Sequence, residues 1–211
     1  MKNRGISSKL IQKTSKNLLE SIKNTQKPLE TLSELIQVLD EVERTKYTTI
    51  LKSMKLPIAE FKKHATWSET CYTRNCIEEN ENFELILICW EKEQVTAIHD
   101  HGGEECWVYF VEGEFREHVY TENEKGKLDI IKTTEAKPGV VSYMIDFMGY
   151  HNLENLSNKR SMSLHLYAKP IKNCNVYDSK NNEFTRKELT YDSVQEIHQS
   201  PIKNKKKICL N

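Results

Sequence analysis

The sequence predicts a mainly β protein, an antiparallel barrel or jelly roll preceded by N-terminal α-helices. Three observations carry that expectation. Strong helical periodicity is confined to the first quarter of the chain. From about residue 70 the texture changes to short β-like runs. Those runs are punctuated by turn-like stretches, among them NEN, HGG, ENEKGK and KPG.

Taken in order, LETLSELIQVLDEV (29–42) sets Leu29, Leu32, Leu35, Ile36, Leu39 and Val42 on one helical face. Pro28 suits a first-turn position. A weaker pattern over 6–22 (Ile6, Leu10, Leu18, Leu19, Ile22) predicts a further helix or a frayed extension, broken off by Asn24 to Lys27. A third short helix is expected over 46–54, before Pro57. The β-like runs are CYTRNCIEEN, FELILICWE, VTAIHDH, CWVYFVEGEFREHVYTE, LDIIKTTEA, GVVSYMIDF, HNLENLS and SMSLHLYAK. After residue 175 the chain is polar, with a short helix expected around 192–198. The expected organisation is an N-terminal extension (1–24), one domain holding helices and barrel (25–190), and a polar, basic tail (191–211).

Lys plus Arg and Asp plus Glu both number 31, so net charge gives no reason to expect nucleic acid or an anionic membrane. LILIC (85–89) is far too short to span a bilayer, and MKNRGISSKLIQKTSKN lacks the apolar run of a secretory signal. KNKKK (203–207) reads as a solvated tail. The six cysteines form no CxxC pair and no disulfide-scaffold spacing, so a reduced, cytoplasmic protein is expected. Cys71, Cys76, Cys89 and Cys209 read as packing or surface thiols.

The chemistry concentrates in AIHDHGGEECWVYFVEG (97–113). Alternate residues on a strand share a face, so His99 and His101 can close on one metal ion. Gly102 and Gly103 permit a tight turn. Imidazole ligands suit iron, zinc, copper or nickel, and the ligand type alone does not choose among them. His64, His118 and His198 have no motif around them and read as surface residues; Trp90 and Trp107 read as core or pocket wall.

The HxH pair, with Gly113 closing the segment, resembles the first motif of the cupin superfamily, with Cys106 standing where most cupins carry a metal-binding glutamate. Glu105 is one register out and would point to the opposite strand face. HNLEN (151–155) resembles the second motif, although Phe147-Met148-Gly149 replaces its usual Pro-x-Gly. With YTRN (72–75), FELILICW (83–90), IHDH (98–101), SLHLY (163–167) and NCNVYD (173–178), the chain resembles the animal-type cysteine dioxygenases over about residues 28–190.

That resemblance implies a cupin-type antiparallel jelly-roll barrel with N-terminal helices, and Fe2+ held by His99, His101 and His151. It implies that Arg74 binds the substrate carboxylate, where a guanidinium offers two parallel charge-assisted bonds, and that Tyr72 lines the pocket. Tyr167 would act beside the metal, oriented by His165 and, behind it, Ser163; a thioether would join Cys106 to Tyr167. Cys174 would stand at the pocket mouth. The implied reaction converts L-cysteine and O2 to cysteine sulfinic acid, a step of L-cysteine catabolism towards taurine and sulfate. A cytoplasmic monomer with no organic cofactor is expected. The rival readings are a thiol dioxygenase for 3-mercaptopropionate or cysteamine, and a non-catalytic metal-binding cupin. Arg74 argues against cysteamine, which has no carboxylate.

Overall fold

The computed structural model describes residues 28–194. The chain divides between Glu60 and Phe61 into two compact units. The helix predicted over 6–22 and the C-terminal tail beyond residue 194 lie outside the described residues.

In the first unit, helix α1 (Leu32–Glu41) buries Leu32, Leu35, Val38 and Leu39. Its start is set by a capping box rather than by Pro28. Thr31 Oγ1 accepts the Glu34 N–H at 3.2 Å, and Glu34 Oε2 accepts the Thr31 N–H at 3.2 Å. Pro28 and Leu29 therefore precede the helix, and Val38 takes the buried position expected of Ile36. Helix α2 (Tyr47–Ser53) follows a 3₁₀ turn (Arg44–Lys46) and matches the expectation for 46–54. A five-residue helix, α3 (Ile58–Lys62), follows Pro57 and was too short to show a period in the sequence. Among the described residues no helix is long and apolar enough to cross a membrane.

The second unit is built of strands. In chain order these are β1 (Thr73–Glu79), β2 (Glu84–Trp90), β3 (Cys106–Glu112), β4 (Phe115–Glu122), β5 (Leu128–Ala136), β6 (Val141–Met144), β7 (Tyr150–Asn155), β8 (Ser161–Tyr167), β9 (Asn173–Asp178), β10 (Glu183–Glu188) and β11 (Ser193–Val194). One sheet runs β11-β1-β2-β8-β3-β6, a second β5-β4-β7, and β9 pairs with β10. The protein is mainly β, with the cupin-type jelly roll that the sequence predicts. Strands β2 and β8 are buried along their whole length: β2 is almost continuously apolar, while β8 alternates apolar residues with the buried polar side chains of Ser161, Ser163 and His165. Strand β4 alternates instead: Phe115, Glu117 and Val119 face inward, while Arg116, His118 and Tyr120 do not. Trp90, Phe110 and Phe115 join the two larger sheets, with ring centroids 5.0–5.5 Å apart.

The motif asparagines organise backbone. Asn75 donates to Leu87 O at 3.1 Å and accepts from Thr66 and Ser193 hydroxyls. Asn155 donates to Glu91 O and Lys159 O, and accepts from Ser157 N and Ser161 Oγ. Gly113 turns the chain at φ +96°, where a Cβ would lie 2.0 Å from Ser161 Oγ.

Three expectations are corrected. Residues 95–101 are not a regular strand: Val95 bridges Glu154, and His99 bridges both His151 and Val176, so no continuous ladder forms. Ser193 and Val194 form a short parallel strand on β1 instead of starting a helix; the rest of 192–198 lies beyond the described residues. Cys71 is disulfide-bonded, whereas Cys76, Cys89, Cys106 and Cys174 are buried free thiols.

The second-motif segment enters β7 through a 3₁₀ turn (Asp146–Met148) that ends on Gly149 at φ +111°. A Cβ there would lie 2.1 Å from Tyr120 O, on the neighbouring strand. Gly149→Ala is expected to destabilise the protein by about 2 kcal/mol or more, because it adds left-handed strain to a backbone clash. Chemical denaturation would measure it, and an unchanged midpoint would contradict the tight approach.

Candidate active site

His99 and His151, from distant stretches of chain, are fastened by their own backbones. His99 N donates to His151 O at 2.9 Å, and His151 N donates to His99 O at 3.0 Å. Their ring centroids lie 4.7 Å apart, and the His101 ring lies 4.7 Å from His151. Asp146 places His101 from outside, accepting the His101 N–H at 2.8 Å and the Gly103 N–H at 2.5 Å. Asp100 clamps the intervening turn, accepting from Gly102 N at 3.1 Å and from Asn175 N at 2.8 Å. One nitrogen from each of His99, His101 and His151 falls within 4.8 Å of the others.

The donor atoms suit a metal ion. A carbonyl can only accept, so the His99 Nδ1 contact to Ala97 O, 2.9 Å, puts the proton on Nδ1 and leaves Nε2 bare. Glu117 Oε1 fixes His151 in the same way through Nδ1, at 2.7 Å. Among the described residues, His151 Nε2 and both ring nitrogens of His101 are buried with no hydrogen-bond partner. Leaving such groups unpaired costs about 1–3 kcal/mol each, which an ion taking their lone pairs removes. These three histidines could hold a metal.

Burial, and next the electrostatic interaction with His151, brings His99 down to about 3 and His101 well below the ordinary histidine value. Burial and then Arg74 do the same to His165. An unfolded histidine takes up a proton near 6.5 that these folded ones refuse. The unfolded state therefore binds more protons below that pH, and stability falls as the solution is acidified. Glu84 opposes this, since burial raises its carboxyl to about 7 and the folded state then holds the extra proton. Three histidines outweigh one glutamate, so metal-free protein is expected to melt at a lower temperature at about pH 5 than at about pH 7. An equal or higher melting temperature at the lower pH would contradict neutral buried rings.

Arg74 occupies β1 and is 8 % exposed. Asp192 grips its backbone: Arg74 N donates to Asp192 Oδ2 at 2.9 Å, and Asp192 N donates to Arg74 O at 2.7 Å. The guanidinium lies close enough to the Tyr167 phenol for each to act on the other's protonation, and its Nε and Nη2 are buried without partners among the described residues. The Tyr167 ring in turn lies 5.9 Å from that of His101. Two vacant, parallel donors beside an imidazole trio suit a carboxylate-bearing ligand of a metal.

The family model described as "Cysteine dioxygenase type I" matches residues 19–180. The chain belongs to the cysteine dioxygenase type I family. The type 1 cysteine dioxygenase of Rattus norvegicus is 28 % identical over 173 residues, covering 77 % of this chain and 86 % of that protein. The Homo sapiens protein is 27 % identical over the same lengths. Among solved structures, a Klebsiella pneumoniae protein with a double-stranded β-helix domain aligns with a TM-score of 0.43 at 15 % identity, over 51 % of this chain and 80 % of that one. An RmlC-like cupin from Desulfovibrio desulfuricans gives 0.41 at 18 %, over 51 % and 91 %. Membership of the cysteine dioxygenase family supports a thiol dioxygenase.

In this family member Cys106 and Tyr167 are direct cross-strand partners on β3 and β8, and the phenol acts on the protonation of the thiol. Burial raises the pKa of both groups, keeping them protonated. Tyr72 stacks near Trp90, with centroids 5.0 Å apart, and its hydroxyl feels Arg74 and Cys174. Cys174 is buried on β9. The His165 ring stands 6.3 Å from that of Tyr167, and its Nε2 is bonded to Ser163 Oγ at 2.9 Å, which also accepts from Trp90 Nε1. The phenol thus stands near Arg74 and Cys106, and the Ser163–His165 pair lies beside it. His118 is bonded to Thr133 Oγ1 at 2.8 Å, away from this group, and His198 lies outside the described residues.

Sequence reasoning missed Glu117 and Asp146. Glu117 had a signal: it falls on the inward face of β4 between Phe115 and Val119, where a carboxylate needs a partner. Asp146 had none, since its partners are backbone N–H groups more than forty residues away.

Proposed function

We propose that the protein is a cysteine dioxygenase converting L-cysteine and O2 to cysteine sulfinic acid. The observation that carries the choice of substrate is the pair of vacant Arg74 donors in the group that contains the three histidines. Arg74 Nε and Nη2 would donate to the amino-acid carboxylate, which orients the thiol towards the imidazole trio. Ferrous iron, held by His99, His101 and His151, supplies the Lewis acidity that keeps the substrate sulfur deprotonated and the redox chemistry that uses dioxygen. Tyr167, protonated through burial, would offer its O–H beside the reacting sulfur, near the Arg74 guanidinium. The reaction is complete as written: the thiol sulfur gives up four electrons, dioxygen takes four, and both oxygen atoms end on sulfur.

The cross-strand placement of Cys106 and Tyr167 supports a thioether between them. Forming it removes one hydrogen from the thiol and one from a ring carbon, with dioxygen taking the two electrons. The buried free thiols of Cys76, Cys89, Cys106 and Cys174 support a reducing, cytoplasmic setting, to which the Cys71 disulfide is the exception. The test of substrate class is oxygen uptake by iron-loaded protein offered L-cysteine, 3-mercaptopropionate or cysteamine. L-cysteine should be consumed fastest and cysteamine slowest; preference for cysteamine would reject the role given to Arg74.

A further inference from the structure

Three neutral imidazoles leave the charge of a divalent ion uncompensated, and the Arg74 guanidinium adds another positive charge nearby. Burying unbalanced charge is costly. The three ring environments differ. His99 Nδ1 meets a backbone carbonyl, His101 meets no partner among the described residues, and His151 Nδ1 meets the Glu117 carboxylate at 2.7 Å. Glu117 is 6 % exposed, and its second oxygen accepts the Ser142 hydroxyl at 2.5 Å. Both oxygens are therefore fixed, one by a strand of each large sheet. On β4 and β7 the pairs Val119↔His151 and Glu117↔Leu153 set Glu117 diagonal to His151 on the inward face. The carboxylate thus reaches the ring side opposite the vacant Nε2.

We propose that Glu117 is a positioning residue of the metal centre: it holds His151 as the Nδ1–H tautomer and places a negative charge one hydrogen bond from the ion. This rests on the reading of His99, His101 and His151 as metal ligands. It does not depend on which thiol is oxidised. A carboxylate behind a ligating imidazole raises the basicity of the ring and fixes its orientation. The arrangement makes the three ligands unequal, with His151 the strongest donor.

Glu117→Gln separates charge from shape, because the amide oxygen still accepts from Nδ1 and the amide nitrogen can donate to Ser142. Anaerobic titration of Fe2+ and of Zn2+ against a chromophoric chelator should show affinity about ten- to hundredfold weaker than wild type for both ions. Circular dichroism and melting of the metal-free variant establish that it is folded. Affinities within about threefold of wild type would overturn the proposal. Should the variant not fold, NMR of zinc-loaded wild-type protein decides. A slowly exchanging His151 Nδ1 proton is expected, and a deprotonated Nδ1 would overturn the tautomer assignment. Wild-type protein that takes up neither ion would sink this proposal and the ligand assignment together. Protein that binds iron yet leaves L-cysteine unoxidised would reject the proposed function alone, with weaker binding by Glu117→Gln still supporting the role of Glu117.

Discussion

Replacing His101 with alanine is expected to abolish stable iron binding, and with it turnover, while leaving the metal-free fold close to wild type. Of the three rings, that of His101 has the least structural duty, since neither of its nitrogens is hydrogen-bonded among the described residues. Its backbone N–H, which anchors the turn to Asp146, survives in alanine. The substitution opens a small cavity, which costs stability, but it also deletes two unpaired buried nitrogens, which returns some. The metal-free protein should therefore change by no more than about 1 kcal/mol. Metal affinity has no such compensation. Loss of one of three ligands should exceed the roughly hundredfold effect of removing an outer partner. Iron content after desalting, measured beside the melting curve, checks both halves, and stoichiometric iron in the variant would remove His101 from the site.

Arg74→Gln should show the opposite pattern, with iron retained and L-cysteine turnover largely lost. Truncating one partner of a buried, hydrogen-bonded charge pair costs about 2–5 kcal/mol, or roughly thirty- to several-thousandfold in kcat/KM. Glutamine keeps a donor but neither the charge nor the fork. The loss should be much smaller with cysteamine, which offers no carboxylate to release. Because the guanidinium also acts on the protonation of the nearby Tyr167 phenol, kcat should fall along with the rise in KM. Equal loss of iron and of turnover would mean that Arg74 supports the fold rather than the substrate.

The parts of this site that local sequence displays were legible in it. IHDH displays two of the imidazoles and HNLEN the third, whereas the pairing of Cys106 with Tyr167 is implied only by the family resemblance and appears in the register of β3 on β8. Strand periodicity was a poorer guide at residues 95–101. Those residues reach two different neighbours in succession, so His99 and His101 converge by way of a bend and an Asp100 clamp rather than a shared strand face. Helix α1 starts at the Thr31–Glu34 box rather than at Pro28, because the two reciprocal hydrogen bonds of that box satisfy the first backbone N–H groups. Alternation along β8 puts Ser163, His165 and Tyr167 on one face, where Ser163 bonds the His165 ring and the Tyr167 ring stands 6.3 Å from it. Asp146 acts on the first motif across a separation that no local pattern encodes.

The most direct measurement is the mass of the product formed when iron-loaded protein meets L-cysteine under isotopically labelled dioxygen. The account predicts cysteine sulfinic acid carrying both labelled oxygen atoms on sulfur. Sulfinic acid carrying only one labelled oxygen, the other coming unlabelled from solvent, or cystine as the sole product, would contradict it.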